Sequence, residues 1–162
     1  MRTLLARATA EAAGWDGKFI MIEWGSMAKT VLILCTGNSC RSQMAEALVN
    51  AYLSPDIRAL SAGTQPGAQV ATGAIEALQL AGLAAHDLRP KTIDAVIDEP
   101  IDLVVTVCDN AKETCPVFPR AVPMFHMAFH DPHSEPLESF IRVRDDIHAR
   151  LLPEIRRRLA GN

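Results

Sequence analysis

Two continuous apolar runs, each ending in a cysteine, predict two strands that are buried on both faces of a parallel sheet. The first is VLILC (31–35) and the second is IDLVVTVC (101–108). Shorter apolar runs at 57–62 and 121–125 predict two further strands. Because ligands of such folds bind at the carboxyl ends of the strands, both cysteines are predicted to lie where a ligand would bind.

Apolar residues at helical spacing separate these strands. One such face follows the first strand and stops at SPD (54–56), and a second ends at Gly82, which suits a helix C-cap. A long C-terminal helix carries apolar positions from Phe140 to Leu159, and Pro153 should kink or break it because proline lacks a backbone donor. Alternating strands and helices predict a single-domain, three-layer α/β fold, with a mainly parallel four-stranded sheet and helices on both faces.

The predicted domain covers residues 29–162. Residues 1–28 show no clear period, so they are interpreted as an N-terminal extension that packs poorly. A terminal helix docked on the domain is the alternative interpretation. Charged residues interrupt the apolar patch near the N-terminus, so no signal peptide is predicted.

Composition and charge exclude several classes of function. The chain has 162 residues and a net charge of -3, so nothing global favours a nucleic acid or an anionic membrane as a partner. No apolar run approaches the roughly 20 residues that a membrane-spanning helix needs. Four cysteines in a chain of this length fit a cytoplasmic protein, expected to be a monomer, whose thiols are used for chemistry. Because the net charge is slightly negative, any anion site must be built locally.

The loop CTGNSCRS (35–42) has the composition of such a local site. Successive backbone N–H groups between a strand and a helix can form a concave anion cradle, and the positive end of the helix dipole adds to it. Gly37 permits the backbone conformations that such a curl requires. Arg41 supplies a planar charged fork that matches two oxygens of a tetrahedral oxyanion. At the base of this cradle Cys35 is predicted to be a thiolate nucleophile near neutral pH, with Ser42 as a hydrogen-bond donor.

Packing alone is the competing explanation for each cysteine. A strand-end cysteine is often merely buried, but the five-residue spacing between Cys35 and Arg41 across a Gly/Ser/Asn loop favours chemistry. Cys40, beside the arginine on the first helical turn, is expected to be structural. For Cys108 and Cys115 the alternatives are packing or half of a metal site, but their spacing does not fit a zinc knuckle.

The motif CTGNSCRSQMAE (35–46) resembles the phosphate-loop signature shared by low-molecular-weight protein tyrosine phosphatases and thioredoxin-coupled arsenate reductases. The phosphatases usually carry proline where this chain has Gln43, and CRSQMAE resembles the reductase branch. The likeness extends from about residue 29 to residue 159. In family order it includes SAG (61–63), DLVVTVCDNAKETCP (102–116), DP (131–132) and FIRVRDDI (140–147).

This resemblance implies a phosphatase-like fold, arsenate as substrate, and phosphate or sulfate as competing oxyanions. Cys35 would attack arsenic, and Cys108 would attack the Cys35 sulfur as arsenite leaves. Cys115 would then attack Cys108 and free Cys35. Thioredoxin would reduce the final Cys108–Cys115 disulfide by thiol–disulfide exchange. Asp131 would be the general acid that protonates the departing oxygen, although a turn cap is the simpler role for such an aspartate.

Other residues are assigned by the same resemblance. Loop residues expected to bind the oxyanion are Thr36, Gly37, Asn38, Ser39, Cys40 and Arg41. Residues expected to support the loop are Asn38, Glu46, Ser61 and Lys91. Some family members bind potassium there, but this chain has Arg89-Pro90-Lys91 where those members carry oxygen ligands. The Lys91 ammonium would take the place of the ion, or it is simply a solvated lysine, so no metal and no cofactor are predicted.

Two other functions compete with arsenate reduction. A phosphotyrosine phosphatase would need only Cys35 and Asp131, yet it generally carries aromatic residues near the acid, where this chain offers Phe129 and His133. A non-catalytic oxyanion sensor would need neither a second cysteine nor an acid. The presence of both Cys108 and Cys115 favours the reductase.

Overall fold

A four-stranded parallel sheet forms the centre of the molecule, whose computed structural model describes residues 28–109 and 121–160. Its strands are β1 (Lys29–Cys35), β2 (Ile57–Gly63), β3 (Leu103–Thr106) and β4 (Met124–His126). They lie in the order β2-β1-β3-β4, and every pairing is parallel. Cys35 is paired with Gly63, and Leu34 with Thr106. The carboxyl ends of neighbouring strands therefore meet at one edge of the sheet.

Alternation along β1 divides the core into two parts. Its odd-numbered apolar residues, from Val31 to Cys35, pack with the α-helices, which are α1 (Arg41–Tyr52), α2 (Thr72–Leu80), α3 (Leu137–Asp146) and α4 (Leu152–Ala160). Leu32 and Leu34 face the other side, where a 3₁₀ turn (Ile93–Ala95) and the residues after it cover the sheet. Each face buries one set of side chains, which explains why the run of apolar residues in β1 is continuous.

The predicted architecture is confirmed, with shifts at two strands. The mainly parallel four-stranded sheet is present, and the second strand lies where the apolar run at 57–62 indicated. β3 is shorter than the run 101–108, and β4 begins only after Pro123. Proline has no N–H to donate to a ladder, so Pro123 takes part only through its carbonyl, which accepts a 2.9 Å hydrogen bond from Val104 N–H.

The C-terminal helix is interrupted close to Pro153, as predicted. α3 ends at Asp146, Ile147–Leu151 forms one turn of π-helix, and α4 resumes at Leu152. A π turn is a common way to accommodate a break in the regular hydrogen-bond ladder. The predicted apolar face from Phe140 to Leu159 is nevertheless buried throughout.

The predicted extension, residues 1–28, lies outside the described residues apart from Ala28. In the parts of the chain that the structure describes, no helix is long and apolar enough to cross a membrane.

Candidate active site

In the loop after β1, each backbone carbonyl from Cys35 to Cys40 accepts a hydrogen bond. The carbonyls of Cys35, Thr36, Gly37 and Ser39 accept backbone N–H groups of the segment 64–71, at 2.7–3.2 Å. The remaining two carbonyls, of Asn38 and Cys40, accept the Gln43 amide and the Met44 N–H, both at 2.9 Å. In a trans peptide the next N–H points opposite to the carbonyl. The Asn38 N–H is directed at the Cys35 sulfur, and the anion cradle of the loop stays a prediction.

The left-handed residue of this loop is Asn38, whereas the sequence pointed to Gly37. Asn38 has a φ of 45° and is fully buried. Asparagine tolerates this conformation when its short amide is hydrogen-bonded locally. Here the Asn38 amide donates to Ser42 Oγ and to Ser61 Oγ, both at 2.9 Å. The side chain of Asn38 therefore stabilises the turn that the sequence assigned to glycine.

A glycine is required nearby, at Gly63 on the neighbouring strand. A Cβ atom placed there would lie 2.6 Å from the Thr36 carbonyl oxygen and 2.9 Å from Cβ of Asn38. β2 can approach the loop this closely only without a side chain at that position. SAG (61–63) therefore has a steric function here, beyond its place in the family motif.

Cys35 lies at the base of the loop and is 4% exposed. Its sulfur is 2.8 Å from Ser42 Oγ and accepts the Asn38 N–H at 3.1 Å. Burial is the largest influence on this thiol and raises its pKa; the hydrogen bonds from Ser42 and Asn38 lower it, and the nearby Cys108 raises it. The direction is opposite to the predicted one, because the loss of water around the sulfur outweighs the hydrogen bonds.

Arg41 and Asp131 are joined in an ion pair. Nη2 of Arg41 is 2.7 Å from Oδ2 of Asp131, and Nη1 donates to the Phe129 carbonyl oxygen at 3.1 Å. The other oxygen of Asp131 accepts the His133 N–H at 3.2 Å. Two residues predicted to act on the same oxyanion are thus brought together from positions 90 residues apart. An oxyanion that takes the fork of Arg41 must compete with this carboxylate.

The second predicted thiol, Cys108, lines the same cavity as Cys35. It is 4% exposed, and its sulfur is 3.5 Å from Thr36 Oγ1. Asp109, the next residue, also lines the cavity, and its carboxylate is 3.1 Å from His126 Nε2. Cys115, the third thiol of the predicted relay, lies outside the described residues.

Cys40 also lines the cavity; the sequence predicted a structural thiol there, in a loop residue expected to help bind the oxyanion. Burial raises the pKa of this thiol to about 12, and the negative charge of Asp131 contributes in the same direction. A thiol with this pKa stays protonated near neutral pH and is a poor nucleophile. The pKa values of both loop thiols are raised, and Cys35 has the better position for attack because its sulfur lies at the base of the loop and takes part in two hydrogen bonds.

The four predicted support residues form one network beneath the loop. Glu46 contacts Ser61 Oγ through a very short hydrogen bond and Lys91 Nζ at 3.1 Å. Lys91 also donates its backbone N–H to Asn38 Oδ1 at 2.7 Å, and its Nζ lies 3.3 Å from the Arg89 carbonyl oxygen. Its side chain is 16% exposed, so the alternative of a freely solvated lysine is wrong.

The Lys91 ammonium lies in the surroundings where a potassium ion was considered from the sequence. Lys91 Nζ lies among carboxylate and carbonyl oxygens, the ligands that a hard cation prefers. Among residues 28–109 and 121–160, no three His, Cys, Asp or Glu side chains group together as a metal site. The prediction that Lys91 replaces potassium stays a prediction.

Phe129, one of the two aromatic residues considered for the ring clamp of a phosphotyrosine site, is not among the residues that line the cavity. Phe129 is 5% exposed and packs in the core, with the Arg150 guanidinium 5.0 Å from its ring centre. The cavity is lined instead by His133 and Phe140, of which only His133 had been considered.

Two polar residues with contacts at the site, Gln43 and His126, were not predicted from the sequence. Gln43 is fully buried and contacts the loop, although its side chain was noted only as a departure from proline. His126 bridges Thr106 Oγ1, at 2.8 Å, and Asp109. The available signal was a polar residue within an apolar stretch in each case, but the partners lie up to 46 residues away.

Comparison with known proteins finds a family match and relatives over most of the chain. Residues 30–153 match the family model described as low molecular weight phosphotyrosine protein phosphatase. Arsenate reductase 1 of Bacillus cereus is 43% identical over 123 residues, which are 76% of this chain and 91% of that protein.

Solved structures give the same result. A low molecular weight protein tyrosine phosphatase from T. tengcongensis has a TM-score of 0.71 and 27% identity, covering 81% of this chain and 99% of that one. The thioredoxin-dependent arsenate reductase Cg_ArsC1' of Corynebacterium glutamicum has a TM-score of 0.62 and 27% identity, covering 82% and 64%. The chain therefore belongs to the low molecular weight phosphotyrosine protein phosphatase family.

Proposed function

We propose that this protein reduces arsenate to arsenite, with Cys35 as the nucleophile and Cys108 as the second thiol. The observation that carries the proposal is that both thiols line one cavity of about 450 Å³ together with Arg41 and Asp131. A hydrolase of this kind needs one thiol, whereas a two-electron reduction needs two thiols that can become a disulfide. The name of the Bacillus cereus relative supports arsenate as the substrate.

The first step is substitution at arsenic. The N–H groups of the loop and the Arg41 fork would hold three oxygens, leaving the fourth on the side away from Cys35. The Cys35 sulfur forms a bond to arsenic while an arsenic–oxygen bond breaks. The departing oxygen leaves as water, with Asp131 as the proton donor. This residue already lies beside Arg41, within reach of an oxyanion bound to the fork.

The second step is the reduction itself. The Cys108 sulfur attacks the Cys35 sulfur, the sulfur–arsenic bond breaks, and its electron pair stays on arsenic. Arsenic passes from the +5 to the +3 state, and two thiols become the Cys35–Cys108 disulfide. Thr36 Oγ1, 3.5 Å from the Cys108 sulfur, would orient the attacking thiol.

Regeneration would require a third thiol and an external dithiol. Cys115 would attack Cys108, release Cys35 as a thiol and form a Cys108–Cys115 disulfide. A thioredoxin would then reduce that disulfide and become oxidised. The thioredoxin-dependent relative from Corynebacterium glutamicum supports this choice of electron donor.

Phosphotyrosine hydrolysis is the second candidate, because its parts are also present. Cys35, Arg41 and Asp131 line the cavity, and one solved relative is a tyrosine phosphatase. The burial of Phe129 removes one of the two aromatic candidates for clamping a phenyl ring. Slow hydrolysis of aryl phosphates is therefore expected at most.

A coupled assay tests the proposal. The protein, thioredoxin, thioredoxin reductase and NADPH are mixed, and NADPH oxidation is followed after arsenate is added. Phosphate is the matched control, since it has the same shape and charge but no centre that a dithiol can reduce. NADPH loss with arsenate alone supports the proposal. Equal rates with arsenate and phosphate, or no rate with either, would refute it.

A further inference from the structure

Gln43, the third residue of α1, has a fully buried side chain and is not among the residues that line the cavity. Its Nε2 donates toward three oxygens: the Asn38 carbonyl at 2.9 Å, Asn38 Oδ1 at 3.1 Å and the Arg89 carbonyl at 2.8 Å. One N–H therefore serves Arg89, and the other is shared between the two oxygens of Asn38. A buried side chain with this many contacts to one loop residue is unlike ordinary helix packing.

The orientation of the Gln43 amide is determined by its surroundings. Turning the amide by half a rotation would place Oε1 against the same three oxygens, which cannot donate. In the observed orientation, Oε1 is the buried side-chain oxygen that finds no partner among residues 28–109 and 121–160. Within the described part of the chain the amide thus leaves its own acceptor unbonded, while both of its N–H groups bind the loop and its support.

Asn38 is the residue through which Gln43 can reach the nucleophile. Among the hydrogen bonds of residues 28–109 and 121–160, the Asn38 carbonyl is the one of the six loop carbonyls from Cys35 to Cys40 that a side chain holds. Asn38 adopts the left-handed conformation, donates its N–H to the Cys35 sulfur and donates Nδ2 to Ser42 Oγ. Ser42 Oγ in turn lies 2.8 Å from the same sulfur. Rotation of Asn38 would disturb both hydrogen bonds that reach Cys35.

Gln43 also joins the loop to its support. The Arg89 carbonyl that accepts Gln43 Nε2 also lies 3.3 Å from Lys91 Nζ. The Lys91 backbone N–H returns to Asn38 Oδ1. Asn38 is therefore held from two directions, by helix α1 and by the segment 89–91.

We propose that Gln43 is a positioning residue, whose amide holds Asn38 in its left-handed conformation so that the Asn38 N–H and the Ser42 hydroxyl stay directed at the Cys35 sulfur. The hydrogen bonds of Gln43 reach Asn38 and the Arg89 carbonyl, so its influence on the sulfur passes through Asn38. The proposal uses the proposed function for one point, that Cys35 is the nucleophile. The test below measures the thiol itself and does not depend on which oxyanion is the substrate.

Two variants remove the donor in different ways. Gln43→Met keeps similar length and volume but cannot donate, and Gln43→Glu keeps the shape but presents only acceptor oxygens when ionised. Asn50→Ala is the matched control. Asn50 lies two turns later on the same helix, and its amide makes two hydrogen bonds to the backbone of Ala59, at 3.0 and 2.7 Å, away from the loop.

The measurement is the rate at which iodoacetamide alkylates Cys35 between pH 6 and 10. Fragment masses of the peptide 30–41 separate Cys35 from Cys40. With its hydrogen bonds disturbed, the thiol should lose about tenfold in thiolate at a given pH, which corresponds to about one pKa unit. Both Gln43 variants should show this upward shift, and Asn50→Ala should keep the profile of the unaltered protein. Thermal unfolding of each variant shows that it is folded.

The outcomes separate positioning from general stabilisation. An unshifted profile in either folded Gln43 variant would overturn the proposal. An equal shift in Asn50→Ala would also overturn it, because any weakening of α1 would then suffice. Should one Gln43 variant fail to fold, the other still decides. Failure of the coupled arsenate assay in the unaltered protein would leave these alkylation results intact, so the two proposals fail separately.

Discussion

The two candidate thiols lie at the ends of adjacent strands, yet their surroundings are built very differently. Around Cys35, six consecutive carbonyls are occupied, and the Asn38 side chain ties the loop to Ser42 and Ser61. At Cys108 the described contacts are few: Thr36 Oγ1 at 3.5 Å, and an exposed Asp109–His126 contact at 3.1 Å in the next residue. The described contacts hold the loop at Cys35 from several directions. At Cys108, which is equally buried, the described residues contribute one side-chain contact to the sulfur, and residues 110–120 lie outside the described residues.

The difference corresponds to what each thiol must do. An oxyanion cradle must keep its donors in place during reaction, because reorganising them would cost part of the stabilisation that they provide. A relay thiol must approach one sulfur and later accept attack by another, and a disulfide tolerates at most about 7 Å between Cα atoms. Cys35 and Cys108 line one cavity, which suits this second requirement. Substitutions at each thiol and around the loop separate these two requirements.

The largest effects are expected in the loop at Cys35. Cys35→Ser should abolish both arsenate reduction and any aryl-phosphate hydrolysis, because both begin at that sulfur. Arg41→Lys should lower kcat/KM by about 10²- to 10³-fold, the range seen when one preorganised oxyanion donor is removed, since a point charge cannot replace the planar fork. Steady-state kinetics on both substrates measures this. Reductase activity that survives Cys35→Ser would contradict the role of Cys35.

The second prediction separates the two thiols. Cys108→Ser should stop the release of arsenite but leave aryl-phosphate hydrolysis nearly intact, because hydrolysis needs only the loop. Arsenite is measured directly, and hydrolysis of p-nitrophenyl phosphate is the internal control on the same sample. Equal loss of both activities would show that Cys108 supports the cavity structurally and takes no part in a relay.

The third prediction follows from the raised pKa of Cys35. Alkylation of this thiol should keep accelerating with pH beyond about 8.5, the ordinary cysteine value. The folded protein also keeps this proton at a pH where the unfolded chain has lost it. The contribution to stability is therefore complete below the ordinary value and is lost as pH rises through the folded value. Denaturant unfolding from pH 7 to 10 should show a steeper loss in the unaltered protein than in Cys35→Ser.

Features set by neighbouring residues could be predicted from the sequence, whereas pairings of distant residues could not. The apolar run that forms β1 and the cysteine at its end can be recognised within five residues, because burial on both faces needs a continuous run. The Arg41–Asp131 pair joins residues 90 positions apart, and the contact of Gln43 with Arg89 joins residues 46 apart. No local pattern contains such pairings. Family resemblance supplied the residues, but their pairing with each other came from the structure.

Backbone conformation was also beyond the sequence. Glycine is the usual left-handed residue, so Gly37 was the expected turn residue, but the side-chain bonds of Asn38 stabilise that conformation one position later. The pKa of Cys35 was misjudged for a related reason. A cradle of N–H groups can be recognised from a motif, whereas the degree to which the fold excludes water from the sulfur cannot.

The smallest effect is expected beneath the loop, at Lys91. Its ammonium is 3.1 Å from Glu46 Oε2 and 3.3 Å from the Arg89 carbonyl oxygen, and both side chains of the pair are at most 16% exposed. If Lys91 replaces a potassium ion, exchanging potassium for sodium should leave the activity of the unaltered protein unchanged. Lys91→Gln removes the positive charge and leaves the Glu46 carboxylate without its cation, which should cost about 1–3 kcal/mol of stability. It should also create activation by potassium, because the freed oxygens suit a hard cation.

Lys29→Gln is the matched control, since Lys29 pairs with Asp102 at 3.2 Å away from the loop and is 41% exposed. Activity assays in potassium and in sodium chloride at equal ionic strength separate the cases. Strong potassium activation of the unaltered protein would show that an ion binds beside Lys91, and the ammonium would then be a neighbour of the cation and no substitute for it.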